Sequence, residues 1–341
     1  MKGYNKFPNL KTLFSEIKSE SGNILSPVIE SLKRKDYEEI AHRTDYLLSI
    51  VNKDWLNKKI KNFKKSSTKE NLSALLSEIR CHGEIKYAFE EFKIYYPDAG
   101  SDFIIDFFGK KVQIETYTPQ ESKDEDKKTK ECILNEETNY SNHKITIKAE
   151  LKAPFGLPQR PKDNTQYEAV SKFSGIKECK EGKQFSKDAI SILWIDLNDP
   201  TIFPFSLAEQ CQPILTFNGK ITSGAFWYAF YGKKGDWIYN DFGFSLCNAV
   251  KMEFDGRFKR GTLIDFVIFD AFTEKYLFQN PYSSKEVLKE ALPELFPYFL
   301  RLFNLQASNS FFDLNLDRLR DFIEFIRIRN NSLYQIYQTI D

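Results

Sequence analysis

The sequence feature that most constrains the fold is a nearly uninterrupted apolar run, AISILWIDL, at Ala189–Leu197. A run without regular polar alternation is typical of a strand that is buried on both faces. A helical pattern from about Thr165 to Phe185 precedes it. Because both faces of such a strand must be covered, the run predicts an α/β protein in which this strand is parallel or central.

The composition of the 341-residue chain limits where nucleic acid or membrane contacts can arise. Its 49 Lys and Arg residues balance 48 Asp and Glu residues for a net charge of +1, so any contact with nucleic acid must come from a local patch. The five cysteines lack metal-ligand or disulfide-framework spacing, which favours a reducing compartment. Without a signal-peptide run or a membrane-spanning stretch, we expect a cytoplasmic protein and no membrane partner.

Periodicity divides the chain into three regions: a helical region at 1–68, an α/β core at 69–280 and a helical region at 281–341 that packs on the core. No Gly/Ser linker separates them. Within the core, the pattern predicts a helix at 69–93, strands at 102–108 and 111–117, a mobile charged loop at 120–131, a strand at 143–151, and strands at 223–231 and 263–269.

A lysine-rich stretch lies in the first region, at Asn52–Lys65. It contains six lysines and a single acidic residue, Asp54. Two interpretations stay open. The stretch is either a solvated helix face or a patch that contacts phosphates.

The segment Ser101–Pro119 predicts a β-hairpin with a two-residue turn at Gly109–Lys110. In that register Asp106 faces Gln113, and Asp102 faces Tyr117. One face of the hairpin is wholly apolar and belongs to the core: Phe103, Ile105, Phe107, Val112 and Ile114. The other face gathers carboxylates: Asp102, Asp106, Gln113, Glu115 and Tyr117.

Clustered carboxylates repel one another unless a cation joins them, and a hard divalent ion with oxygen ligands is the usual solution. The alternative is that this face is simply open to water on an amphipathic sheet. The preceding helix adds Glu78 on an otherwise apolar stripe that also carries His82. An acid pointing at the hairpin is a further candidate for a metal ligand or for a group that supports the ligands.

This order of elements resembles the PD-(D/E)xK nuclease superfamily, which has the restriction-endonuclease-like fold. The family pattern is a helix with an acid, a strand with Asp, a hairpin, a strand with (Asp/Glu)-x-Lys, a later helix with Gln or Lys, and a buried strand. Glu78 matches the helix acid, Asp102 the first Asp, with Ser101 where Pro is common, and Glu115 the second acid. Gln184 matches the polar residue of the later helix, with Lys183 beside it. The resemblance covers roughly residues 70–200.

The resemblance implies a core with a mixed central sheet flanked by helices, extended by helical regions at both ends. It also implies a Mg²⁺ (or Mn²⁺) site held by Asp102 and Glu115 with Glu78 assisting, where Gln184 or a nearby lysine orients the attacking water. The implied activity is that of a nuclease, a hydrolase acting on DNA or RNA, with nucleic acid as the partner.

The chain departs from the family pattern at Tyr117, which stands where the family has its Lys. Tyr donates a hydrogen bond but carries no positive charge near neutral pH. The lysines expected to substitute are Lys180, Lys183, Lys148 and Lys152.

Three classes of function therefore remain open. The first is a metal-dependent nuclease, and the second is a non-catalytic nucleic-acid-binding or protein-interaction module on the same scaffold. The third is a hydrolase on another mixed α/β fold. Three scattered histidines do not favour zinc, and no Walker-type loop or nucleophile elbow is present in the sequence.

Overall fold

A computed structural model describes residues 6–17, 37–120, 155, 164–176, 183–199, 207–217, 220–240, 249–271 and 274–304. The predicted strand at 143–151, and Lys148, Lys152 and Lys180, lie outside these ranges, as do most of the predicted loop at 120–131 and residues 305–341 of the C-terminal region.

Among the described residues, four helices precede the first strand: α1 (Pro8–Ile17), α2 (Glu38–Ile50), α3 (Lys53–Lys65) and α4 (Lys69–Ala88). Side-chain caps define where the last two begin. Asn52 accepts a hydrogen bond from Trp55 N, and Thr68 accepts one from Asn71 N. The helical character predicted for the first region is therefore confirmed over these described residues.

A mixed six-stranded sheet forms the centre of the molecule. Its strands are β1 (Lys93–Tyr95), β2 (Phe103–Phe107), β3 (Lys110–Tyr117), β4 (Ile190–Asp196), β9 (Phe266–Ala271) and β10 (Glu274–Gln279), in that spatial order. β3, β4 and β9 are parallel, and the other pairings are antiparallel. The apolar run that predicted a central parallel strand is β4, and it is buried along its whole length.

The other described helices are α5 (Thr165–Gly175), α6 (Leu207–Gln210), α7 (Ala225–Tyr231) and α8 (Glu286–Asn304). Two antiparallel strand pairs lie outside the central sheet: β5 (Ile214–Phe217) with β6 (Lys220–Ser223), and β7 (Trp237–Ile238) with β8 (Val250–Lys251). No described helix is both long enough and apolar enough to cross a membrane.

Two hydrophobic cores cover the two faces of the sheet. The first lies between the sheet and helices α1 to α4 and α8, and includes Ile114 and Trp194. The second lies between the sheet and helices α5 and α7, and includes Leu193 and Phe269. Side chains alternate between the two faces along a strand. Successive residues of β3, and likewise of β4, therefore point towards opposite cores.

Three local predictions are wrong. The hairpin turns at Phe108–Gly109 rather than Gly109–Lys110, because β2 pairs Phe107 with Lys110. Much of the predicted strand at 223–231 is helix α7, since a run that is buried all round has no period to distinguish the two. The predicted helix at 165–185 ends at Gly175, where the next residue is extended, so Gln184 lies in a turn.

Candidate functional site

The two acids of the hairpin meet at its open end, opposite the turn. Asp102 comes directly before β2, and its Oδ2 accepts a hydrogen bond from the backbone N–H of Thr116 at 2.8 Å. Continuing the observed register by one pair beyond Phe103 and Ile114 places Asp102 opposite Glu115. Glu115 is 4% exposed. In the observed register Asp102 is therefore directly opposite Glu115, whereas the predicted turn placed it opposite Tyr117.

The segment that carries Lys183 and Gln184 crosses the same part of the sheet. The carbonyl oxygen of Lys183 lies 3.3 Å from the position that a β-carbon on Gly100 would occupy. Three residues later, Ser186 N donates to Oε1 of Gln113 at 2.8 Å. Gly100 is two residues before Asp102, and Gln113 is two residues before Glu115, so the segment passes over the face that carries Glu115.

Gln184 lies in the middle of this crossing. Its Oε1 is buried and has no hydrogen-bond partner among the described residues. A buried amide oxygen without a partner costs free energy, so its retention in this segment is a feature that needs a reason. Lys183 is exposed beside it.

Glu78 is carried by α4, which packs on the other face of the sheet. Its neighbour one turn along α4 is Cys81, whose thiol lies close to Thr116 and Asp102. Burial raises the pKa of the Cys81 thiol well above its usual value, and the nearby charge of Asp102 raises it further. Glu78 itself forms an ion pair with Lys59 of α3.

The alternation of β3 separates the predicted site into two parts. Ile114 packs in the first core with α4, and Thr116 lies close to Cys81 on that side. Glu115 and Tyr117 therefore point to the opposite face, and Tyr117 packs partly buried against the second core. Glu115 and Tyr117 thus share a face, with Asp102 at its edge, whereas Glu78 is carried by α4 on the other face of the sheet.

The donor set at this corner suits magnesium better than zinc. Among the described residues, no group of three or more His, Cys, Asp and Glu side chains is arranged to hold a metal ion. Magnesium is commonly held by one or two carboxylates together with waters and substrate phosphates. The pair Asp102 and Glu115 fits that pattern, while His82 is enclosed by aromatic rings.

Within the part of the chain that the structure describes, the largest group of buried charges lies elsewhere, among residues that were not predicted to form a site. At the carboxyl ends of β4 and β9, Arg80 Nε lies 2.7 Å from Asp196 Oδ2. Arg43 of α2 contacts Asp270 Oδ2 at 2.5 Å. This buried ion network has six members: Arg43, Arg80, Lys275, Glu84, Asp196 and Asp270.

The network compensates its own charge. Lys275 Nζ lies 2.6 Å from Glu84 Oε2 and 3.7 Å from Asp270 Oδ1, and all three side chains are fully buried. Although burial alone would raise it, Arg43 and Lys275 hold the pKa of Asp270 at about 2. Three cations face three anions, so we assign the network to joining α2 and α4 to the sheet rather than to binding a ligand.

The sequence did contain a signal for this network. Asp196 and Asp270 each interrupt an otherwise apolar strand, and Arg80 and Glu84 lie four residues apart on α4. A charge inside a buried strand requires a partner, but the sequence does not show which one.

Comparison with known proteins adds no assignment: no family model matches the chain, and neither a curated protein nor a solved structure shows significant similarity to it.

Proposed function

We propose that this protein is a metal-dependent phosphodiesterase acting on DNA or RNA, with Asp102 and Glu115 as the metal-binding pair. The observation that carries the proposal is the position of Asp102, held at 2.8 Å by the backbone N–H of Thr116 next to Glu115. The contacts of Lys183 with Gly100 and of Ser186 with Gln113, on either side of Gln184 in the chain, support a role for this segment at the site. The two acids and the amide of this segment form the proposed site for a cation and a polar substrate.

The chain order of the elements supports a restriction-endonuclease-like core. Helix α4, the antiparallel strands β1 to β3, helix α5 and the buried parallel strand β4 follow one another. This is the order in the PD-(D/E)xK pattern, and the two acids lie on the strands where that pattern has them. The parallel pairing of β3 and β4 across α5 is the crossover that this order requires.

Each residue has a distinct role in the proposed reaction. Asp102 and Glu115 provide oxygen ligands, and their hydrogen bonds and burial fix the geometry of those oxygens. A bound Mg²⁺ supplies polarisation of the phosphodiester and acidification of a water. Gln184 accepts a hydrogen bond from the attacking water through its buried Oε1, and Lys183 stabilises charge that develops on the phosphate.

The test is cleavage of labelled DNA and RNA in Mg²⁺, Mn²⁺ or EDTA by the full chain and three isosteric variants. We expect Asp102→Asn and Glu115→Gln each to reduce metal-dependent cleavage by about a hundredfold or more, because each removes an anionic ligand. Asp106→Asn is the matched control. This exposed acid lies on the same hairpin, where it accepts a hydrogen bond from Gly109 N near the turn.

Wild-type cleavage by both site variants would exclude this pair as the site. Equal losses in all three variants would indicate damage to the hairpin rather than removal of ligands. Thermal unfolding of each variant separates these outcomes.

One observation favours a non-catalytic binding module on the same scaffold as the second candidate. Glu78 is paired with Lys59, and Tyr117 occupies the position of the family lysine. The pairing of Glu78 removes one candidate metal ligand, and Tyr117 removes the cation that the family pattern has at the catalytic site. Binding of nucleic acid without cleavage in either metal would select this alternative.

A further inference from the structure

The exposed face of α3 carries an unusual density of lysines. The helix contains six lysines and one acid in 13 residues. Its apolar residues, Trp55, Ile60 and Phe63, are buried on the opposite side. The exposed face of this helix, called here the lysine face, consists of Lys53, Asn57, Lys58, Lys61, Asn62 and Lys65, with Asp54 among them and the partly buried Lys64 at its edge.

Most of this positive charge is uncompensated within the described residues. Lys58 pairs with Asp98, and Lys59, beside the face, pairs with Glu78. Lys53, Lys61, Lys64 and Lys65 form no ion pair with another described residue. Four like charges along a helix of about 20 Å repel one another, so an anionic partner would stabilise the face.

Two lysines of α3 form ion pairs with residues of neighbouring segments, Lys58 with Asp98 and Lys59 with Glu78 of α4. Asp98, the partner of Lys58, lies four residues before Asp102. The ring of Trp55 packs 5.8 Å from that of Phe103, the residue after Asp102. Trp55 and Phe103 both belong to the first core, so α3 packs on the α4 side of the sheet, near the open end of the hairpin and opposite the face that carries Glu115.

The chemistry of the face distinguishes among anionic partners. Its exposed side chains are ammonium groups, two amides and one carboxylate, without an apolar residue. An apolar anchor is usual in membrane-surface helices and in the centre of protein interfaces. Lysine and asparagine without such an anchor are typical of contacts to phosphates and sugars.

We propose that the lysine face of α3 binds the phosphate backbone of a nucleic acid. The choice of partner rests on the proposed function, whereas the binding itself does not require cleavage. With a net charge of only +1, the chain has no general attraction for nucleic acid, so this local face is required for binding. Contacts of this kind do not depend on base sequence.

The experiment compares two charge-matched triple variants of the full chain in EDTA, so that binding is measured without cleavage. The first is Lys53→Gln, Lys61→Gln and Lys65→Gln on the lysine face. The control is Lys234→Gln, Lys251→Gln and Lys259→Gln, three exposed lysines around the β7–β8 pair. Fluorescence anisotropy follows a labelled duplex of about 20 base pairs, and a single strand of about 20 nucleotides, between about 50 and 200 mM salt.

We expect the lysine-face variant to bind at least about tenfold more weakly and to lose about two to three units of salt slope, because three phosphate contacts disappear. The control should bind like the wild type. Equal weakening of both variants, or no binding by the wild type, would overturn the assignment. So would binding of anionic phosphatidylserine vesicles by the lysine face in place of nucleic acid.

This experiment separates the inference from the proposed function. Cleavage that depends on Asp102 but not on the lysine face would leave the function standing and exclude the binding surface. Binding through the lysine face without cleavage in Mg²⁺ or Mn²⁺ would support the surface and exclude the nuclease.

Discussion

His82 is a histidine that the fold keeps neutral. It is fully buried, its ring lies 4.3 Å from that of Trp55 and stacks at 5.4 Å on Phe103, and its Nε2 lies 2.8 Å from the Tyr96 hydroxyl. Burial, reinforced by two nearby lysines, lowers its pKa to about 3. The group is therefore a component of the core, and protonating it opposes folding.

The pH dependence of stability follows from that pKa. In the unfolded chain His82 titrates near 6.5, so below that pH the unfolded state binds one more proton than the folded state. We expect the contribution of His82 to be fully present above about pH 6.5 and to be lost towards pH 3, at up to about 1.4 kcal/mol per pH unit. Denaturant unfolding of wild type and His82→Leu at several pH values measures it.

Other groups titrate in the same range, so the difference between the two proteins is the informative quantity. His82→Leu should lose less stability on acidification than the wild type, whatever its stability at neutral pH. Parallel curves would contradict the assigned pKa.

At the residue scale, the sequence indicated which polar side chains were unusual but not which residues they contact. Glu78 stood out because it interrupts an apolar stripe, which the structure explains by an ion pair with Lys59. Lys59 comes from the preceding helix, and no sequence spacing specifies how two helices pack. The hydrogen bond from Thr116 N to Asp102 depends in the same way on the register of two strands.

At the element scale, the hairpin shows why a register error can leave a face assignment intact. The observed turn residues Phe108 and Gly109 have φ values of 49° and 78°. A bulky residue with positive φ is uncommon, so the sequence favoured a turn one residue later. The resulting error is two residues in pairing, and because side chains alternate with a period of two, each residue keeps its face.

The helix α7 was missed for a different reason. Residues 225–230 are all buried in the second core, where Phe226 stacks on Phe269 at 4.8 Å. A segment buried on every side has neither the period of a strand nor that of an amphipathic helix. Its secondary structure is decided by packing, which local sequence does not encode.

Two glycines with open surroundings provide a test of the turn. Neither Gly109 nor Gly175 has an atom within 4 Å of the position of an added β-carbon, but only Gly109 has a positive φ, of 78°. We expect Gly109→Ala to lower the free energy of unfolding by about 1 to 2 kcal/mol. Gly175→Ala, at the end of α5, should raise it by about 0.4 to 1 kcal/mol by restricting the unfolded chain.

Chemical denaturation of both variants measures the difference. Because neither substitution creates a steric contact, opposite signs isolate the backbone conformation. Destabilisation of equal size at both sites would refute the left-handed turn.

At the scale of the whole molecule, the fold is held by pairings between distant parts of the chain. The sequence predicted an α/β architecture with a buried central strand, because that information is local to 189–197. The pairing of β4 with β9 joins residues more than 70 positions apart, and the buried ion network joins α2 to β9 over 227 positions. Such contacts arise only when the whole sheet assembles, so local patterns cannot specify them.

The final prediction concerns the buried ion network. Asp270→Asn should reduce the free energy of unfolding by about 3 to 5 kcal/mol, because it leaves Arg43 and Lys275 buried without their full countercharge. The control is Glu38→Gln, which removes one partner of the exposed Lys6–Glu38 pair and should change stability little.

The pH dependence of this loss has a definite sign. The pKa of Asp270 is lowered to about 2 in the folded protein, against about 3.9 in an unfolded chain. Its contribution is therefore present above about pH 3.9 and is lost as the pH falls towards 2, so the gap between wild type and Asp270→Asn should narrow over that interval. Urea unfolding across this interval measures the gap. A gap that is small at neutral pH, or that widens in acid, would show that the network does not hold Asp270 as a buried anion.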